Sequence, residues 1–350
     1  MRPRAHPARQ RGVALLTAIL LVALGTILAA SLAYDNALTA RRAQGTFALD
    51  QSLQIAEAGE AIAAYALRET RKLDRTHVYP GQPWSMPYGP VEVVPGVSLE
   101  AALEDMQGRF NLNNLVDQTG KRDPVALEEF ENLLQSLGLE TKWASLIADW
   151  IDADNIAEDS DGAEDNTYLS QVPPYRTANM PITSASELLA LPGFGRDRYL
   201  LLAPYVTALP QGTRINLCSA SGKLIDALIG AGHQEYGSMD PTTLAKTRSE
   251  GCHPNQQEFD AAISEQTLRT QADQRVGMVS DYFRLMSIVN VGTTQFALYS
   301  LLHRRAICGC APSNAASPRT DAWQTGSSFD SRARPQTRYR SWWPTPRAAS

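Results

Sequence analysis

Arg11-Gly12-Val13-Ala14-Leu15-Leu16-Thr17 opens an uncharged run that reaches Tyr34, and the reading of this junction decides what kind of chain this is. A short leader carrying Arg2, Arg4, Arg9 and Arg11 and no acid ends at Gly12, and an apolar stretch follows at once. Val13 to Tyr34 is 22 residues without a charge. As a helix that stretch measures about 33 Å, enough to cross a hydrocarbon core of about 30 Å. The leader arginines predict a cytoplasmic N-terminus with the rest of the chain on the far side.

Three readings fit this segment. A secretory signal peptide would be cut after Ser31-Leu32-Ala33, but the apolar regions of that class span roughly 7–15 residues. A plain single-span anchor is the second. The third is a leader cut between Gly12 and Val13 on the cytoplasmic side, which leaves the apolar helix as the new N-terminus. Helical spacing continues well past the span, through Leu38, Phe47, Leu53, Ile55, Ala56, Ile62, Ala63 and Leu67, with no proline before Pro80. One helix of roughly sixty residues is predicted, half in the membrane and half packed on a globular head. A cleaved signal peptide gives no reason for such continuity, so the third reading is preferred.

The chain has 350 residues, 43% hydrophobic and 20% charged, room for two domains with a packed core. A net charge of −5 argues against nucleic acid as a partner, since phosphate binding needs a dense basic surface. Four cysteines are present. Cys218 and Cys252 either pair in an oxidising compartment or are isolated buried thiols. Cys308-Gly-Cys310 lacks a second pair at zinc spacing.

Prolines from Pro80 to Pro95 end the long helix. Pro90 to Glu104 alternates apolar and polar residues and reads as one or two short strands. Asp105 to Leu115 reads as a turn, with Gly108 at its bend and Asn111 and Asn113 bonding local backbone. Helical period follows over Val125 to Leu137 and Trp143 to Ile151, then over Ser184 to Leu191, where Ser184 and Glu187 have capping-box spacing. Ser221 to Ile229 and Gln256 to Ile263 supply further helices. Asp281 to Val291 and Gln295 to Leu302 read as returning strands. Ala306 to Ser350 is rich in Pro, Arg, Ser and Ala without period, a disordered or frame-shifted tail.

Asp149 to Asp165 holds many acids and no base. Hard oxygen donors at close spacing suit Ca²⁺, which takes about six to eight oxygens. The candidate ligands are Asp152, Asp154, Asp161, Glu164 and Asp165. The spacing is not that of an EF-hand, and a solvated acidic loop gives the same pattern. Paired acids also cleave glycosidic bonds, so a membrane-anchored periplasmic hydrolase using this loop is the alternative function. No Ser/His/Asp set with motif spacing and no nucleotide-binding glycine loop accompanies it.

Gly12 followed by Val-Ala-Leu-Leu-Thr-Ala-Ile-Leu-Leu resembles the N-terminus of type IV pilins and pseudopilins. In most of that superfamily the fifth residue of the processed chain is glutamate; here it is Thr17. The class lacking the glutamate is the K component of type II secretion, a family of minor pseudopilins. The turn from Asp105 to Leu115, the segment Leu209 to Ala220 and the acidic loop resemble that family too, over roughly residues 10 to 304. Leu191-Pro-Gly-Phe-Gly-Arg-Asp-Arg resembles a helix-hairpin-helix turn. The resemblance implies an α+β fold: a pilin-like long N-terminal helix plus antiparallel sheet, with a large inserted all-α domain of sterile-alpha-motif-like or helix-hairpin-helix-like type.

It further implies a leader at 1–12, a transmembrane part at 13–34 and a periplasmic helix with first strands at 35–110. The inserted domain falls at 111–275 in two segments, about 111–208 and 209–275, the returning strands at 276–305 and the tail at 306–350. A prepilin peptidase would cut between Gly12 and Val13 and Val13 would be N-methylated. The chain would lie in the inner membrane with its main domain in the periplasm. There it would form the tip of the pseudopilus with minor pseudopilins I and J on the major pseudopilin filament, for export of folded proteins across the outer membrane. It would not be an enzyme, and it would bind structural calcium. In the family the missing glutamate pairs with the N-terminal ammonium of a neighbouring subunit, so Thr17 suits a filament end; equally, threonine in a membrane helix bonds its own backbone. The family has asparagine where Cys218 stands, which puts a side-chain hydrogen bond there in question.

Overall fold

The computed structural model describes residues 11–304. Helix α1, Arg11–Leu73, is one unbroken helix of 63 residues, about 95 Å long. Arg71 and Lys72 in its last turn complement the negative end of the helix dipole. Beyond it Asp74 accepts from the backbone of Thr76 and His77 and turns the chain away. From Ala14 to Gln51 α1 is almost entirely exposed. Burial starts at Ser52 and recurs at Ala56, Gly59, Ala63, Leu67 and Thr70, a single stripe at three- and four-residue spacing.

That stripe lies on a four-stranded antiparallel sheet. Strands β1 (Tyr88–Val94) and β2 (Val97–Asp105) form the hairpin expected from the alternation of Val91 to Ala101. Strands β7 (Tyr282–Val291) and β8 (Thr294–His303) return as expected, and the sheet order is β1-β2-β7-β8. Val97, Leu99 and Ala101 of β2 and Phe283, Leu285, Ser287 and Val289 of β7 alternate inward, onto α1. A Cβ on Gly59 would stand 3.0 Å from Ser287 Oγ, so the small residues of the stripe set how closely helix and sheet approach. Trp84 closes one end, edge-on to Phe283 at 5.3 Å.

Everything between β2 and β7 is inserted between the two central strands. In chain order it comprises β3 (Phe110–Asn111), α2 (Pro124–Ser136), α3 (Lys142–Ile151), α4 (Asp165–Tyr168), α5 (Gly195–Leu202), β4 (Val206–Thr207), β5 (Ile215–Asn216), α6 (Gly222–Ile229), α7 (Pro241–Glu250), α8 (Gln256–Ala262), α9 (Gln266–Arg275) and β6 (Val276–Gly277). One apolar core spans it from Phe110 to Val276, with Phe130, Leu133, Trp143, Ile147, Phe194 and Leu224 among its members. The segment expected as a helix over Ser184 to Leu191 is a 3-10 helix, Ala185–Ala190, with the expected capping box formed. Helices α7 and α9 were not expected: in α7 only Leu244 and Arg248 are buried, so no apolar stripe marks it. Cys218 and Cys252 are joined in a disulfide that ties the start of α6 to the end of α7. Cys308, Cys310, the tail at 306–350 and leader residues 1–10 lie outside the described residues.

The asparagines of the 105–115 turn do more than the local chemistry expected of them. Asn113 donates to the carbonyls of Ile182 and Leu209 and accepts from Ile182 N. Asn111 accepts from Leu209 N at 2.9 Å and donates to Pro210 O. Parallel pairing of β3 with β4 brings these distant backbones alongside, and each amide side chain meets both a donor and an acceptor there. Sheet and insert meet at Asp105. Its Oδ2 accepts from Asn216 Nδ2, Ser219 Oγ and Ser280 Oγ, and its Oδ1 accepts from Gln107 N. Asn216, two residues before Cys218, also accepts from Cys218 N, so an asparagine still organises this turn.

Glu129 on α2 supplies a pH test of the insert. Burial pushes its carboxyl up to about 7, although Arg275 Nη1 lies 3.5 Å away and opposes the shift. The folded state therefore keeps a proton that the unfolded chain has lost, and stability falls as pH rises from about 4.5 to about 7. Urea denaturation of Glu129→Gln is expected to show a flatter decline across that window; an unchanged slope would contradict the assignment.

Candidate metal centre

Helix α3 ends in Asp149-Trp150-Ile151-Asp152, which places two carboxylates three residues apart on one face, at the negative end of the helix dipole. The loop that follows returns through Gly162-Ala163-Glu164 into α4. One oxygen each from Asp149, Asp152 and Glu164 come within 4.8 Å of one another, and all three residues are buried. Asp149 Oδ2 accepts from Ala163 N at 2.8 Å and its Oδ1 from Arg122. A Cβ on Gly162 would stand 2.2 Å from Asp149 Oδ2, so only glycine lets the loop close this tightly on α3.

Asp152 Oδ1 and both oxygens of Glu164 are buried without a hydrogen-bond partner. Burial first, then the neighbouring carboxylates, pushes Asp152 up to about 7; burial pushes Glu164 to about 7 as well, against the opposing influence of the Thr177 hydroxyl. Burial also raises Asp149, against the pull of Arg122. Three buried acids, two of them with orphaned oxygens, are what a hard divalent cation neutralises, and carboxylate oxygens are the donors it takes. Tyr168 and Trp150 pack edge-on at 5.0 Å beside the group, and Tyr175 joins them.

Of the five candidates read from the sequence, the structure brings Asp152 and Glu164 into this group and leaves three outside it. Asp154 is exposed and accepts from Ile156 N. Asp161 is exposed. Asp165 accepts from Thr177 N at 3.1 Å and pairs with Arg176. Asp149, the first acid of the stretch, was not among the candidates; its spacing of three from Asp152 was the available signal.

The other candidate residues lie on α1. Gly12 and Val13 stand in its first turn. Thr17 Oγ1 donates to Ala14 O at 3.0 Å, so its hydroxyl is satisfied within its own helix. α1 is the one helix among the described residues that is long and apolar enough to cross a membrane.

Residues 108–211 match the family described as type II secretion system (T2SS), protein K. Type II secretion system protein K of Pseudomonas aeruginosa is 32% identical over 311 residues, covering 84% of this chain and 89% of that protein. The protein of the same name from Pectobacterium carotovorum is 30% identical over 312 residues, covering 85% and 93%. A chain of the GspK-GspI-GspJ complex from the enterotoxigenic Escherichia coli type 2 secretion system superposes with a TM-score of 0.64 at 25% identity, covering 74% of this chain and 93% of that one.

Proposed function

This chain belongs to the type II secretion system protein K family, and from that premise we propose that it is the minor pseudopilin at the tip of the pseudopilus, acting in export of folded proteins across the outer membrane. The observation that carries this reading is α1: bare from Ala14 to Gln51, then packed under a sheet that bears a large helical insert. The bare half is the surface that other pilin-type helices cover in a filament. The insert is too bulky to lie beneath further subunits, which suits an end position. Its partners are minor pseudopilins I and J, in keeping with the complex whose chain it superposes on, and the major pseudopilin filament below them.

In this reading a prepilin peptidase cuts between Gly12 and Val13, and Val13 is N-methylated. The apolar part of α1 sits in the inner membrane and the head lies in the periplasm, as the leader arginines direct. Thr17, satisfied by Ala14 O, places no buried charge in the lipid that a further subunit would have to pair. The protein is a structural component rather than an enzyme: Asp149, Asp152 and Glu164 are buried, out of reach of a polymeric substrate. These three carboxylates hold one Ca²⁺, whose charge offsets their mutual repulsion and fixes the loop. Co-expression with minor pseudopilins I and J from the same secretion system tests the assembly. A stable ternary complex on size-exclusion chromatography is expected; separate elution of this chain would contradict it.

A further inference from the structure

Arg122 precedes α2 and is nearly buried, yet its guanidinium serves the acidic loop rather than its own segment. Its Nη2 contacts Asp149 Oδ1, its Nη1 donates to Asp159 Oδ2 at 2.7 Å, and its Nε lies 3.3 Å from Glu158 Oε2. Ser145 Oγ on α3 donates to the same Asp159 oxygen at 2.7 Å. Asp149 thus belongs to two sets at once, the carboxylates gathered by Arg122 and the three that converge, where Asp152 and Glu164 carry the orphaned oxygens. The stretch from Asp149 to Asp165 carries no base of its own, so Arg122 brings to it a cation from elsewhere in the sequence.

We propose that Arg122 is a resident counter-ion that folds the Glu158–Ala163 part of the loop onto α3 before any metal arrives, and so holds Asp149 in place as a ligand. The guanidinium suits this task because it is always charged and its planar fork engages several carboxylates in fixed directions. Without it, eight acids between Asp149 and Asp165 repel one another, and metal binding must also order the loop, which weakens it. The ligand-placing part rests on the calcium reading above; the loop-folding part does not.

The test uses the full chain in detergent with EDTA, digested by a protease that cuts after glutamate. Wild type is compared with Arg122→Gln and Arg122→Lys, and fragments are identified by mass spectrometry. Cleavage after Glu158 is expected to be about tenfold faster in Arg122→Gln, with cleavage on α2 at Glu128 and Glu131 unchanged and Arg122→Lys intermediate. Equal rates in wild type and Arg122→Gln would overturn the proposal. So would acceleration spread equally over the α2 sites, which would mark a general loss of stability. Calcium titration of the same proteins is the second readout. About tenfold weaker binding by Arg122→Gln is expected; binding as tight as wild type or tighter would overturn the ligand-placing role. A wild type that binds no calcium would remove the calcium reading and leave the cleavage comparison to decide the role of Arg122 in the loop.

Discussion

Replacing Asp105 by alanine is expected to cost about 3–5 kcal/mol, because it empties the point where sheet and insert are joined. The side chain is buried where β2 leaves the sheet, and four donors from three separated segments converge on it. Burial raises its pKa while Ser219, Ser280 and Asn216 oppose the rise, so the group is costly to bury and costly to remove. Alanine leaves Ser219 Oγ and Ser280 Oγ without their carboxylate acceptor, while Asn216 Nδ2 keeps the carbonyl of Val78 at 2.8 Å. Asp105→Asn keeps one oxygen facing these donors and is expected to lose about half as much. Urea denaturation of both variants measures this, and a loss under about 1 kcal/mol for the alanine variant would contradict the role assigned to the junction.

The second large effect concerns Glu164, and its sign depends on calcium. In EDTA at neutral pH, Glu164→Gln removes one of three crowded buried carboxylates and is expected to be more stable than wild type by about 1–2 kcal/mol. At calcium concentrations about a hundredfold above the dissociation constant, wild type gains about 2.7 kcal/mol and the variant gains little, so the order reverses. Thermal unfolding of both proteins with EDTA and with calcium reads the crossing directly. A variant that follows wild type in both conditions would remove Glu164 from the metal group.

How much of the fold was legible follows from the range of the interactions involved. Helix α1 was legible because its signals are local: an uncharged run from Val13 to Tyr34 and no proline before Pro80. The hairpin and the returning strands were legible from alternation, and Val97, Leu99, Phe283 and Leu285 are buried at alternate positions. The pairing of β2 with β7, by contrast, joins Asp105 to Phe283 across the whole insert, and no local pattern encodes it. The Asp105 network was hidden for the same reason, as were the distant partners of Asn111 and Asn113. Helix α7 has little apolar stripe to find, though Asp240-Pro241 at its start is a recognisable cap followed by a first-turn proline. At the carboxylate group, composition pointed to the loop that supplies Asp152 and Glu164, while the convergence of Asp149 and Arg122 on it comes from folding in space.

The fate of the Gly12–Val13 bond tests the pseudopilin reading most directly. Intact-mass and N-terminal peptide mass spectrometry of the chain recovered from the membrane of a secretion-competent cell measures it. The predicted result is a mature protein that begins at Val13 and carries one methyl group on its N-terminal nitrogen. A mature chain beginning at Met1 or at Tyr34 would contradict it.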